Sequence, residues 1–198
     1  APTRSYSLTA RAWALMACVS LFMGALANPG FSHLSVLYTS EGFDPMVIAV
    51  IISATGVMIT LGKLIYGEVT DRIGGCRSSL LFGGVLLLGY MLCCLAFLRN
   101  TAITGATVLA LGIGYPIATI GPSVWANDMS SPDRYPTVIR RLQVIYAGGA
   151  LVFASVPGIL ADHFGSYLPA YMMFSAFLAA ALLFIALAYR ETKRNEMI

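Results

Sequence analysis

The chain has 198 residues, of which 58% are hydrophobic and 11% charged, and its mean hydropathy is +0.79. A soluble domain of that length carries roughly a quarter charged residues, so this composition excludes soluble, disordered, fibrous and nucleic-acid-binding classes and points to a bilayer. The net charge of +3 is small, so where the charges sit says more than their sum.

A helix needs about 20 apolar residues to cross the hydrocarbon layer. Six windows qualify, over residues 13–38, 45–67, 78–98, 103–125, 138–160 and 167–189. The first is too long for the apolar core of a cleavable signal and reads as a full span. Ser20, Gly24, Asn28, Ser32 and Ser35 lay a polar stripe along it, interrupted at Asn28-Pro29-Gly30. Proline removes a hydrogen bond and glycine loosens the helix further, so the freed carbonyls and the Asn28 amide need a partner in a neighbouring helix, a ligand or water. A bent gating helix beside a cavity is one reading and a structural kink the other. His33, one residue off the stripe, reads as structural rather than as a proton relay.

The second window carries Lys63, which shares a face with Gly56, Thr60 and Gly67 on a 3.6-residue period. The third and sixth windows are mostly Leu, Phe, Met and Ala and are expected to face lipid. The fourth places Gly112, Tyr115, Thr119 and Ser123 on one side, with Pro116 and Pro122 as bending points. The fifth offers Gln143 and Tyr146, then Gly148 and Gly149. The links are short and polar. Of the four cysteines, Cys18, Cys93 and Cys94 lie in apolar runs and Cys76 in a basic loop, so reduced thiols are expected.

Basic residues accumulate on the cytoplasmic side of a membrane protein. Eleven of the twelve Lys and Arg fall on one side of this six-span topology, and Arg99 stands alone on the other. An integral membrane protein of the cell membrane, with both termini cytoplasmic, is the expectation. The chain opens at Ala1 on a polar, basic stretch, as a linker between two helices would, and reads as a fragment or processed product.

A short pattern recurs. Gly67, Asp71 and Gly74 close the second span, and Gly158, Asp162 and Gly165 close the fifth with the same internal spacing, 91 residues later. Three crossings separate the copies, which puts them on opposite faces and marks an inverted repeat of three helices plus three. Arg72 and Arg77 accompany the first copy, and the second has His163 in place of a fixed cation.

The stretch from Gly67 to Arg77 resembles the loop motif of the major facilitator superfamily, and the resemblance covers the whole chain. It implies an all-α membrane protein forming one six-helix half, the C-terminal one, of a twelve-helix transporter that rocks around a central site. The implied partners are an N-terminal six-helix half, on the same or a separate chain, or a second copy. It also implies that first and fourth helices line the path, second and fifth flank it, and third and sixth lie outside. The pattern departs at Gly75 and Cys76, where relatives often carry another basic residue.

Physically the motif can work as a latch. A carboxylate at Asp71 would engage the positive N-terminus of the fifth span, reinforced by Arg140 and Arg141, in one transport state and release it in another. Gly67 would admit a neighbouring helix and Gly74 a tight turn. Otherwise, with Arg72 and Arg77, it is a solvated basic loop.

Lys63 lies eight residues before Asp71, roughly 12 Å up the helix from the loop. A cation there costs on the order of 3 kcal/mol and normally faces a cavity or partner. It reads as a cavity lysine for an anionic substrate, a carboxylate, or as a lysine that snorkels to the interface. Here the chain resembles the monocarboxylate and oxalate/formate porters, in which a basic residue, typically arginine, stands four before the first glycine of this motif, as Lys63 stands before Gly67. The second cation that some of them carry in the eleventh helix has no counterpart inside the fifth span.

The expectation is a secondary transporter half moving a small organic anion, monocarboxylate-like, by alternating access, without enzymatic chemistry, cofactor or metal. Lys63, Asn28, Thr60, Tyr115, Thr119, Gln143 and Tyr146 are the candidate cargo contacts. An uncharged or cationic solute, or a six-helix channel or receptor, remains the alternative. A water channel would need two Asn-Pro-Ala caps, an intramembrane serine protease a nucleophile elbow, and a pump a phosphate-binding loop.

Overall fold

The computed structural model describes residues 9–195, with side chains placed to residue 192. Arg4 and the side chains of Lys193 and Arg194 lie outside the described residues. Among those described, every regular element is helical.

Six helical segments are long and apolar enough to cross a membrane. Span 1 is broken into α1 (Ala10–Ala27), α2 (Pro29–Ser32) and α3 (Leu34–Ser40). Span 2 is the single helix α4 (Pro45–Ile73), and span 3 is α5 (Gly75–Cys93), followed by a 3-10 turn at Ala96–Leu98. Span 4 divides into α6 (Thr101–Gly114) and α7 (Pro116–Met129), span 5 into α8 (Tyr135–Val152) and α9 (Val156–Phe164). Span 6 is α10 (Leu168–Asn195). Starts follow local chemistry. The side chains of Thr9, Asp44 and Asn100 accept from the first free backbone N–H groups of α1, α4 and α6.

Three prolines sit where a broken span restarts: Pro29 opens α2, Pro116 opens α7 and Pro157 lies in the first turn of α9. Pro122 sits inside α7 without ending it. In span 5 the break falls at residues 153–155, just before Pro157, and not at the Gly148-Gly149 pair. Proline clashes with the preceding turn, whereas paired glycines in a packed helix only weaken it.

The packing repeats itself. Span 1 packs on spans 5 and 6, span 4 packs on spans 2 and 3, and spans 3 and 6 pack on each other. Exchanging the first three spans for the last three leaves this scheme unchanged, the arrangement expected of an inverted repeat. Its glycines correspond too. A methyl group on Gly149 would collide with the Leu21 carbonyl, and one on Gly24 with the Tyr146 carbonyl, so spans 1 and 5 cross backbone to backbone. Gly62 and Gly112 do the same where spans 2 and 4 cross. Gly62 and Gly149 are separated by 87 residues, as are Pro29 and Pro116. In lipid, close approach at small residues is a main source of helix association.

Spans 1 and 4 are the most enclosed, whereas spans 2 and 5 are the least: half of the apolar window of span 1 is buried but only 11% of that of span 5. Spans 3 and 6, expected to face lipid, are intermediate in burial. They form a back layer against each other and against spans 1 and 4, although Leu81, Leu88, Met172 and Leu183 stay exposed. The outer sides of spans 2 and 5 have no neighbour within this six-helix body, and expose Val50, Val57, Leu64, Val144, Leu151 and Ile159.

Adjacent glycines give a direct test. Gly149→Ala is expected to destabilise the protein by about 1–3 kcal/mol by forcing spans 1 and 5 apart. Gly148, whose methyl would meet open space, should accept alanine with no loss. Unfolding in detergent, followed by helical circular dichroism, compares the two.

Candidate functional site

The break in span 1 orphans backbone carbonyls, and the way they are satisfied defines the site. The carbonyls of Leu26, Ala27 and Gly30 flank the interruptions at Asn28 and His33 and accept from side chains. Three tyrosines from three other spans supply the donors. The Tyr90 hydroxyl of span 3 donates to Leu26 at 2.7 Å, and the Tyr171 hydroxyl of span 6 donates to Gly30 at 2.9 Å. The Tyr115 hydroxyl of span 4 donates to Ala27. Gly30 is required here, because a side chain would strike the Tyr90 hydroxyl. Tyr115 itself occupies the break between α6 and α7, so the interruption in one repeat closes the interruption in the other.

Beside this brace lies a hollow of about 450 Å³, lined by Asn28, Phe31, Ser32, Tyr115, Ala150 and Ala154 among others. The Asn28 amide donates to the Gly24 carbonyl and to the Tyr146 hydroxyl, both at 3.5 Å, long bonds that leave it free to exchange partners. The Phe31 and Tyr115 rings stand 5.3 Å apart. The hollow thus offers amide and hydroxyl groups on one side and methyl groups and an aromatic ring on the other, and its lining holds no charged side chain. His33 turns away: its Nδ1 sits 2.9 Å from the Pro29 carbonyl, an intrahelical bond that fits a structural role.

Of the candidate cargo contacts, the structure gathers Asn28, Tyr115 and Tyr146 and leaves the others apart. Thr119 lies one turn beyond Tyr115, half-buried, and donates to the Pro116 carbonyl at 3.4 Å. Thr60 donates to Gly56 within α4. Gln143 is exposed on α8. Lys63 is exposed on α4 and forms no ion pair or hydrogen bond among the described residues; Gly56, Thr60 and Gly67 are exposed with it. The predicted stripe is real, but it faces outward from this body, away from Tyr115.

Among the described residues Asp71 does not meet the expected latch partners. Asp71, Arg77, Arg140 and Arg141 are all exposed, and the one ion pair among the described residues joins Arg72 to Glu68 along α4. The physical reason is α7, which packs on both α4 and α8 and stands between the carboxylate and its expected partner. Gly67 meets open space and admits no neighbour. Gly74, at φ +85°, stands between α4 and α5 in a conformation that favours glycine.

The departure at Gly75 has an explanation that the sequence hid. Span 4 extends to Met129, beyond its predicted end, and brings the half-buried Asp128 against the start of α5. Asp128 accepts a 2.7 Å hydrogen bond from the Tyr189 hydroxyl, and any side chain at Gly75 would overlap both groups. Deeper in, Ser79 accepts from the Trp125 indole at 2.8 Å and lies 3.3 Å from the Tyr66 hydroxyl. These bonds hold the same ends of spans 2, 3, 4 and 6 beside the motif.

The comparisons with known proteins agree with this architecture. The sequence model of the Major Facilitator Superfamily matches residues 12–197. Monocarboxylate transporter 13 of Rattus norvegicus is 26% identical over 161 residues, covering 78% of this chain and 37% of that protein. Monocarboxylate transporter 13 of Bos taurus is 24% identical over the same shares. The chain therefore spans little more than a third of the length of these relatives. No solved structure matches it.

Sequence reasoning missed Tyr90 and Tyr171, because their spans look uniformly oily. The signal was available, since a tyrosine in mid-membrane needs an acceptor for its hydroxyl and a proline-broken helix nearby has spare ones. Tyr90→Phe and Tyr171→Phe are each expected to lower stability by about 0.5–2 kcal/mol, because a carbonyl loses its donor. Chemical unfolding of the two variants beside the parent measures it.

Proposed function

Because the chain belongs to the major facilitator superfamily, we propose that it forms one six-helix half of a secondary transporter that moves a small organic anion, of the monocarboxylate kind, by alternating access. The observation that carries this reading is the tyrosine-braced break of span 1 beside a hollow built from Asn28, Phe31 and Tyr115. A carboxylate accepts hydrogen bonds from amide and hydroxyl groups, and a short apolar tail suits Phe31, Ala150 and Ala154. The 24% and 26% identities to proteins named monocarboxylate transporters support the same class.

A second six-helix half, on the same or another chain or as a second copy, covers the bare sides of spans 2 and 5. It encloses the Lys63 face and turns it into a wall of the path. Lys63 then supplies the positive charge that the hollow lacks, and Thr60, Thr119 and Gln143 line the route. Asp71, which makes no ion pair among the described residues, takes its latch partner from that half. The protein resides in the cell membrane with both termini cytoplasmic, as the distribution of arginine and lysine suggests.

One observation favours a second reading. The hollow at the break has no charged lining, which suits an uncharged solute. Exchange of radiolabelled monocarboxylate into liposomes separates the two. With Lys63→Gln, the cargo concentration for half-maximal exchange should rise about tenfold or more, as for loss of a hydrogen bond to a charge. Lys63→Arg should keep most of the parent activity. Equal exchange by both variants contradicts a role for Lys63 in binding the anion.

A further inference from the structure

A second cavity, of about 370 Å³, opens where the start of span 1, the end of span 4 and the start of span 5 meet. Trp13, Ser130, Asp133, Arg134, Thr137 and Arg141 line it. It lies on the face that carries most of the chain's arginines, and neither the cargo hollow nor Lys63 takes part in it.

Three sources of positive potential converge there. Arg134 stands at the N-terminus of the 18-residue helix α8, whose Tyr135 and Thr137 N–H groups bond to the Ser131 and Arg134 carbonyls, so that end contributes its dipole rather than free donors. Arg141 places its guanidinium 6.0 Å from the centre of the Trp13 ring. Neither arginine forms an ion pair among the described residues. Against them stands one carboxylate, Asp133, which also makes no ion pair. The exposed Thr137 adds a hydroxyl at the rim. The site as built has two cations against one carboxylate.

Its other wall is apolar. Met129 and Val138 form the inner edge, and Trp13, half-buried near the start of span 1, is the kind of ring that settles at a membrane–water boundary. A bare ion would leave that wall uncovered, whereas the glycerol backbone and first methylenes of a lipid would cover it. We propose that this cavity binds the phosphate of an anionic glycerophospholipid, with Arg134 and Arg141 on the headgroup and Trp13 beside the glycerol.

The test uses the full-length protein in nanodiscs of phosphatidylcholine containing a minor share of phosphatidylglycerol, with retained lipid read by native mass spectrometry. Arg134→Gln and Arg141→Gln should each lower phosphatidylglycerol retention about fivefold, the share expected for one cation near an anionic surface. Arg140→Gln changes the same net charge on the same helix but does not line the cavity, and should retain lipid as the parent does. Thr137→Glu, an exposed change that suits a helix start, should lower retention while leaving the fold intact. Inorganic phosphate at millimolar concentration should not displace the lipid. Unchanged retention in the two arginine variants and Thr137→Glu overturns the proposal. So does an equal loss with Arg140→Gln, which would mean diffuse surface charge, or displacement by inorganic phosphate, which would mean a site for the free ion.

Discussion

Inside a bilayer a backbone carbonyl that loses its helical donor cannot turn to bulk water, and the rest of this structure depends on that constraint. Pro29 breaks span 1, and the carbonyls of Leu26, Ala27 and Gly30 beside the break accept from side chains. Tyr90, Tyr115 and Tyr171 reach them from spans 3, 4 and 6. Each bond ties a different span to the same few residues, so the break is a junction where four helices are held together. The break and the hollow beside it are consequences of one sequence choice.

The junction has a tightly bonded side and a loosely bonded one. Tyr90 and Tyr171 are buried within the body and fix the break from behind. Asn28 and Tyr146, on the open side, are joined only by a bond at the limit of hydrogen-bond length. In the proposed function, a cargo group that accepted from the Asn28 amide would compete with that weak partner, not with the tyrosine brace. The glycine crossings between spans 1 and 5 and between spans 2 and 4 bring two backbones together without interlocking side chains, a contact suited to helices that shift as rigid bodies.

Most of the architecture was legible because bilayer physics writes it in simple terms: window length gave six spans, and the Gly67/Gly158 spacing gave the inverted repeat. Span ends were less legible. Apolar content stops at Trp125, but the helix continues to Met129 because its last turn is fixed by tertiary bonds, and Asp128 was overlooked for that reason. Asn28, Tyr115 and Tyr146 could be grouped from helical periodicity. Lys63 could be recognised as anomalous, but periodicity does not say whether a stripe faces its own helix neighbours or a body beyond them. The direction of the Lys63 face, and the intervention of α7 between Asp71 and α8, depend on packing order.

The central claim is that the hollow at the break of span 1 is a water-accessible cargo site. With the four native cysteines replaced by alanine, Ala154→Cys, on the hollow, and Leu183→Cys, exposed on span 6, can be treated with a water-soluble thiol reagent in liposomes. The account predicts that the cysteine at 154 reacts, that a monocarboxylate slows its reaction, and that the cysteine at 183 stays inert. A cysteine at 154 as inert as that at 183, or one whose rate no cargo alters, would contradict it.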